Sequence, residues 1–273
     1  MIRAAVLGAD VSKSRSPAIH NAAFRALGVD GEYRAISVDA AGFRALVADL
    51  HAQGYRYLNV TIPLKGAAHA LAYVHGPEAR VSGAANTLLF EPGGGIRAEN
   101  TDGAGLIAAL GDLGVSAAGG VVVMAGAGGA AAGAVEALTR AGAAVRLVAR
   151  RPEIGNELRG RLKEAQRDRV TVTPWQGGAL AQALAGATVL VSAVPAAAWA
   201  DARTAAGLQA LVGGAAVLEM AYGGTTPLAA AALALGARYA DGLGMLVHQA
   251  AHAIELALGK TPPLAPLFEA VRS

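Results

Sequence analysis

Short apolar runs alternate with amphipathic stretches along most of this chain. Segments 2–7, 33–38, 57–61, 86–90 and 96–98 read as strands, and the three-to-four residue spacing of apolar positions in 17–27, 40–52 and 66–73 predicts helices between them. A helix is predicted from Asp102 to about 113, and a second series follows it. Its strands fall near 120–125, 144–149, 170–173, 188–192, 215–219 and 237–240, with helices near 129–141, 153–166, 178–185 and 227–235. The chain ends on helical patterns at 243–258 and 264–272 with no further strand, so this part is free to return to the first series. Such alternation predicts an α/β fold built on mostly parallel sheet covered on both faces. Two series in 273 residues predict two domains, 1–101 completed by 242–273, and 102–241.

Composition narrows the function. The chain is 54% hydrophobic, enough to fill two cores, and only 16% charged with a formal net charge of +3. That excess is too small for a nucleic-acid binder unless the basic residues cluster. Arg146, Arg150 and Arg151 form a spot rather than a stripe, which favours a small anionic ligand. With no cysteine there is neither a disulfide framework nor a thiolate metal site, and the histidines lack ligand spacing, so no metal is expected. Three uncharged stretches, 114–135, 176–200 and 220–237, are long enough to raise the question of a membrane span. Each is interrupted by Gly-Gly and built from alanine and glycine, so buried elements of an α/β protein are expected instead, with no membrane partner. The N-terminal apolar run is too short for a signal peptide, and a cytoplasmic protein is expected.

One glycine turn stands out from the rest. Gly126-x-Gly128-x-x-Ala131 follows the apolar strand Val121–Ala125 and precedes a helix. There the first glycine permits a tight turn, the second lets backbone approach a pyrophosphate, and the third, small residue allows close packing of helix on strand. The helix start adds free N–H groups and a positive dipole end. Gly126, Ala127, Gly128, Gly129 and Ala130 are therefore candidate cofactor contacts in a Rossmann-type, doubly wound nucleotide domain. About twenty residues on, where an NAD site usually places an acid, the chain has Ala149-Arg150-Arg151. Two guanidiniums suit the 2′-phosphate of NADP; solvated charges preceding the helix at Pro152 are the plain alternative.

Lone polar residues at element boundaries supply candidate chemistry. Lys65 closes Asn59-Val60-Thr61-Ile62-Pro63-Leu64-Lys65, and Asp102 opens a helix after Glu99-Asn100-Thr101. An ammonium beside a ketone stabilises the charge that develops on oxygen as hydride arrives and donates a proton, and an aspartate can hold that lysine. A solvated lysine and an N-cap aspartate are the ordinary alternatives. Ser14 and Ser16 offer two hydroxyls for an anion beside a helix start, or cap that helix at Pro17. Asn86 and Gln249 carry amides suited to hydroxyl ligands, and Thr61 and Tyr222 add hydroxyls.

The motifs together resemble the shikimate dehydrogenase family. Gly8 to Asn21 is similar to its opening motif, with Ser14 and Ser16 on the serine pair that holds the substrate carboxylate. Asn59 to Lys65 resembles Asn-Val-Thr-x-Pro-x-Lys, Gly83 to Thr87 resembles Gly-Ala-x-Asn-Thr, and Asn100 to Gly105 resembles Asn-Thr-Asp-Gly-x-Gly. Tyr222 with Thr226-Pro227-Leu228, and Asp241 to Gln249, match the family's late segments in order. The resemblance implies an N-terminal α/β substrate domain, an NADP-binding Rossmann domain, and reversible reduction of 3-dehydroshikimate to shikimate with NADPH, a step of aromatic amino acid biosynthesis leading to chorismate. It implies Lys65 and Asp102 as the catalytic pair, with Ser14, Ser16, Thr61, Asn86, Tyr222 and Gln249 toward substrate. Gly242 and Met245 fall on the nicotinamide side, where core packing is a competing role for Met245.

Several positions depart from the family pattern. Asp10 and Lys13 stand where proline and histidine are common, Ala149-Arg150-Arg151 replaces Asn-Arg-Thr, and Val194 and Glu219 replace a frequent threonine and aspartate. These leave a quinate or aminoshikimate dehydrogenase as an alternative. A non-catalytic NADP-binding regulator is a further one, against which the intact Lys65 and Asp102 argue. A small-molecule substrate, no nucleic acid, and a monomer or homodimer are expected.

Overall fold

A computed structural model describes residues 1–201, 207–211 and 214–272. It separates into two compact units, Met1–Gly105 with Leu246–Ser273, and Leu106–Met245.

The first unit runs β1 (Ile2–Gly8), α1 (Ser16–Ala26), β2 (Gly31–Ser37), α2 (Phe43–Ala52), β3 (Tyr57–Val60), α3 (Lys65–Leu71), β4 (Val74–His75), α4 (Pro77–Ser82), β5 (Thr87–Phe90) and β6 (Ile96–Glu99). The strands form one sheet in the order β2-β1-β3-β5-β6-β4. Period-two alternation sorts their side chains onto two faces. Ala5, Leu7, Leu58, Val60, Leu88 and Phe90 pack with Phe43, Val47 and Leu64 in one core, while Ala4, Val6, Tyr57 and Leu89 pack with Phe24 and Tyr33 in another.

This sheet is mixed. β1 pairs in parallel with β2 and β3, but β5 runs antiparallel to both β3 and β6. The reason is local. β4 and α4 insert before β5, and neither announces itself in the sequence, because two strand residues and six helical ones are too short to show a period. The helix predicted at 40–52 begins only at Phe43, because the Gly42 N–H is taken by Asp39 Oδ1 at 2.8 Å in a preceding turn.

The second unit runs β7 (Val121–Ala125), α6 (Gly129–Arg140), β8 (Ala144–Ala149), α7 (Pro152–Arg161), α8 (Glu164–Arg167), β9 (Val170–Pro174), α9 (Gly177–Leu184), β10 (Val189–Ser192), a 3₁₀ turn (Ala196–Trp199), β11 (Ala216–Glu219), α10 (Pro227–Ala234) and β12 (Arg238–Ala240). Every strand pairing is parallel, in the order β12-β11-β10-β7-β8-β9. That is the doubly wound arrangement, with the order reversing between β7 and β10. The single helix predicted across 153–166 is instead two. Leu162, extended at ψ 155 and 2% exposed, leaves the helical path to reach the core.

Helix α5 (Asp102–Asp112) follows β6, and α11 (Leu243–Leu258) and α12 (Leu264–Arg272) end the chain. α12 packs on α1 within the first unit, which brings the C-terminal segment back to the N-terminal sheet. Among the described residues, no helix is long and apolar enough to cross a membrane.

Candidate active site

Topology gathers four separated motifs at one end of the first sheet. β1 and β3 are parallel, so Gly8 and Val60 end at the same edge. The antiparallel β5 begins there, and β6, antiparallel again, ends there. The junctions are bonded: Val60 N–H donates to Asn86 O at 2.8 Å, Asn86 N–H to Glu99 O at 3.1 Å, and Ala85 N–H to Lys65 O at 2.9 Å. Gly8 is required at this edge, since a Cβ there would stand 2.5 Å from Thr61 Cγ2 and 2.8 Å from Val11 Cγ1. The loop carrying the serines therefore passes close against Thr61.

Lys65 is the first residue of α3, set by the Thr61–Leu64 turn in which Leu64 N–H donates to Thr61 O at 2.9 Å and Leu64 is buried. Its Nζ lies 2.5 Å from Asp102 Oδ2, with the two side chains only 16% and 8% exposed. Neither is a solvated surface residue. Asp102 does not cap α5 from outside the helix; it is the first helical residue, and its own N–H donates to Asn100 Oδ1 at 3.1 Å.

Asn86 is the hub behind this pair. Its Nδ2 lies 2.9 Å from Asp102 Oδ1, 2.9 Å from Thr101 Oγ1 and 3.0 Å from Gln249 Oε1. Its Oδ1 accepts from Thr101 N at 2.9 Å and from Thr87 Oγ1 at 3.0 Å. An amide N–H can only donate and a carboxylate can only accept, so Thr101 N and Asp102 together fix which way the Asn86 amide points. Two N–H hydrogens serve three acceptors, and any ligand hydroxyl that bonds Asn86 shares or replaces one of them. Gln249 turns its Oε1 inward and gives Nε2 to Leu246 O at 3.1 Å; a flip would set Nε2 against Asn86 Nδ2 and Oε1 against Leu246 O.

A second layer supports the first, with His20 and Asn59 as scaffolding in the matched motifs. Thr87 Oγ1 accepts from Asn59 Nδ2 at 3.0 Å, and Asn59 Oδ1 accepts from Tyr33 OH at 2.7 Å. His20 stacks on Tyr33 with ring centroids 3.9 Å apart, and its Nδ1 lies 2.6 Å from Tyr57 OH. Complete burial pushes the His20 pKa down to about 3, so the ring is neutral. Burial holds Tyr33 and Tyr57 well above the usual phenol value, and both keep their protons.

The serines resolve differently from each other. α1 starts at Ser16 with Arg15 as its N-cap and no side-chain cap, so Ser16 is not the cap residue. Instead Ser14 Oγ accepts from Ser16 N at 3.3 Å. The Ser16 side chain is buried, and its hydroxyl has no hydrogen-bond partner among the described residues. Asp10 Oδ1 accepts from Ser12 N at 3.0 Å and Ser12 Oγ at 2.7 Å, which stiffens the loop before them and lowers the carboxyl's pKa.

The nucleotide candidates lie in the second unit. Gly126 follows β7 at φ 109°, a backbone that disfavours any side chain, and a Cβ there would meet Val194 Cγ1 at 3.1 Å and Ala193 O at 3.2 Å. A Cβ on Gly128 would meet no protein atom, so the close approach this glycine permits is from outside the chain. Gly128 is also the N-cap of α6 and supplies no side-chain cap, leaving first-turn N–H groups for a ligand. Arg150 and Arg151 are exposed at the end of β8, and neither guanidinium has a hydrogen-bond or ion-pair partner among the described residues. Arg146 is different, and the three do not act as one anion spot. Its Nη1 donates to Ala183 O at 2.8 Å and Ala185 O at 2.6 Å, closing the end of α9. These residues fit a dinucleotide carrying a 2′-phosphate. Tyr222, 39% exposed, and Gly242 and the buried Met245 belong to this second unit, whereas Ser14, Ser16, Thr61, Lys65, Asn86, Asp102 and Gln249 belong to the first.

Comparison with known proteins bears on the whole chain. Residues 6–88 match the shikimate dehydrogenase substrate binding domain. A shikimate dehydrogenase (NADP(+)) of Acidiphilium cryptum is 39% identical over 261 residues, covering 95% of this chain and 91% of the relative. The chain belongs to the shikimate dehydrogenase family. The shikimate dehydrogenase of Mycobacterium tuberculosis superposes with a TM-score of 0.87 at 34% identity, covering 100% of this chain and 99% of that one. Shikimate 5-dehydrogenase of Thermus thermophilus, solved in complex with NADP(H) and shikimate, superposes with a TM-score of 0.83 at 30% identity, covering 100% and 99%. Within the shikimate dehydrogenase fold, Thr87, Thr101 and Tyr33 are the polar residues that motif reading passes over. Only Thr87 and Thr101 carried a hint, as hydroxyls inside matched motifs.

Proposed function

We propose that this chain is an NADP-dependent shikimate dehydrogenase that reversibly reduces 3-dehydroshikimate to shikimate. The observation that carries the reading is the buried Lys65–Asp102 pair, 2.5 Å apart and surrounded by Asn86, Thr101 and Gln249. Such a site matches a polyhydroxylated ring with one carbonyl, and the relatives' activity supports it.

Gly126, Ala127, Gly128, Gly129 and Ala130 would hold the cofactor pyrophosphate, Arg150 and Arg151 the 2′-phosphate, and Gly242 and Met245 the nicotinamide side. NADPH, when bound, supplies the hydride. The protein's own part is the proton. Lys65 Nζ donates one to the carbonyl oxygen as negative charge develops there, and in the reverse direction removes it from the hydroxyl. Asp102 Oδ2 orients the ammonium, while Asn86 holds the other carboxylate oxygen, so the pair meets its substrate with little reorganisation left to make. Ser14 and Ser16 would bind the carboxylate with hydroxyl donors, beside the first turn of α1, and Thr61, Asn86, Tyr222 and Gln249 would bind hydroxyls.

This reading includes a division of labour in which the unit Met1–Gly105 with Leu246–Ser273 serves substrate and Leu106–Met245 serves NADP, boundaries a few residues later than the 101/102 and 241/242 expected from the sequence, a cytoplasmic location, and a monomer or homodimer. Assaying purified protein with shikimate, quinate and an aminoshikimate, each with NADP and NAD, tests it. Shikimate with NADP should give the highest kcat/KM; a preference for quinate would move the chain to the sister activity.

A further inference from the structure

Glu219 ends β11 and is fully buried, yet no cation faces it among the described residues. Its Oε2 accepts two hydrogen bonds, from Thr226 Oγ1 at 2.5 Å and from Tyr239 OH at 3.0 Å, while Oε1 is buried with no partner. A carboxylate so placed is costly to bury, and a core hydrophobe would serve the sheet better. Its position in the chain suggests what it does.

Glu219 and Thr226 bracket the segment 220–225, which carries Tyr222. Both flanks are anchored inside the second unit. Met220 N–H donates to Ser192 O at 2.8 Å, and Gly242 N–H donates to Ala221 O at 3.0 Å. At the far end Thr226 is the N-cap of α10, its Oγ1 accepting from Ala229 N at 3.0 Å. Because that amide can only donate, the Thr226 hydroxyl must turn its own hydrogen to Glu219. Glu219 Oε2 on β11 receives it, and an oxygen that takes Thr226 and Tyr239 together closes the loop from strand to helix and to β12. Burial, and then the Glu219 contact, raise the Tyr239 pKa to about 12, so this second donor stays protonated at any working pH.

We propose that Glu219 is a positioning residue that clasps the 220–225 loop through Thr226 and so sets where Tyr222 stands. It rests on the proposed dehydrogenase reading, in which Tyr222 meets the substrate. Glu219 itself touches no reactant; its effect reaches the reaction only through the loop.

The test is a double-mutant cycle read in KM for shikimate, with NADP affinity by titration as the check that the second unit is folded. Glu219→Leu, which leaves no acceptor for Thr226 or Tyr239, should raise KM about tenfold with NADP affinity unchanged, since small displacements of a binding group are costly, whereas Glu219→Gln keeps one acceptor oxygen and should stay near the parent. In a Tyr222→Ala background Glu219→Leu should raise KM no further, because the residue it positions is gone. Thr226 gives the same answer without touching the buried acid. Thr226→Gly is tolerated at an N-cap but has no hydrogen to give Glu219, and should raise KM as Glu219→Leu does; Thr226→Ser keeps both bonds and should hold the parent value. If Tyr222→Ala alone leaves KM unchanged, the substrate role of Tyr222 is wrong and the clasp falls with it. If Tyr222→Ala raises KM but the Glu219 effect is absent, or multiplies with it undiminished, the clasp alone is overturned.

Discussion

Lys65 Nζ and Asp102 Oδ2 lie 2.5 Å apart although 37 positions separate them in the chain. Two reversals of strand direction, at β5 and β6, return the chain to the edge where α3 begins, and Asn86 at the first of them bonds the other Asp102 oxygen. The pair is thus a product of the sheet's mixed topology.

Asp102→Asn keeps the shape but removes the charge that orients the ammonium and gives Asn86 Nδ2 a second amide to face. Turnover should fall by at least tenfold, with NADP affinity unchanged because those contacts are assigned to the other unit. Steady-state kinetics beside a cofactor titration checks this; equal turnover would mean that Asp102 does not orient the lysine.

Replacing Ser14 and Ser16 together by alanine should raise KM for shikimate by roughly tenfold or more while leaving NADP affinity in place. Only Ser14 assists the start of α1, so the loss of stability should be small and should track Ser14→Ala rather than Ser16→Ala. A melting series on the single variants separates the two effects.

Arg150→Ala with Arg151→Ala should erase most of the preference for NADP over NAD, by about tenfold or more, with NAD use little altered. Both side chains are exposed, so the parent's preference should also shrink as salt rises. An undiminished preference in the double variant would place the 2′-phosphate elsewhere.

His20 gives stability a defined acid limb. Its folded-state pKa is about 3 against 6.5 for a free histidine, so the unfolded chain takes up a proton first as pH falls. The contribution is complete above about pH 6.5 and is lost progressively down to about pH 3, at roughly 1.4 kcal/mol per pH unit. Urea unfolding of the parent and of His20→Gln at pH 7.5 and pH 5 measures it. The parent should lose about 2 kcal/mol more than the variant over that interval, and parallel losses would show that the ring is not held neutral.

Much of this architecture was legible in the sequence. In the second unit apolar runs such as Val121-Val122-Val123 alternate with helical patterns, and that alternation predicts the parallel pairing that is found. The catalytic candidates were legible because each stands at a boundary that proline or a strand end marks. β4, the direction of β5 and the break at Leu162 were not, since each depends on what the segment packs against rather than on its own period. The same holds for Tyr33 in the second layer. Nothing near Tyr33 in sequence points to Asn59, 26 residues away, and the link exists only because both project from the face that holds His20 and Tyr57.

The most direct test of the central claim is the turnover of Lys65→Ala against the parent, followed at the NADPH absorbance band with saturating shikimate and NADP. The account predicts steady reduction of NADP by the parent and a loss of roughly a hundredfold or more in kcat for the variant, with shikimate still bound weakly. Near-native turnover in the variant, or no turnover in a parent that binds NADP and shikimate, would contradict it.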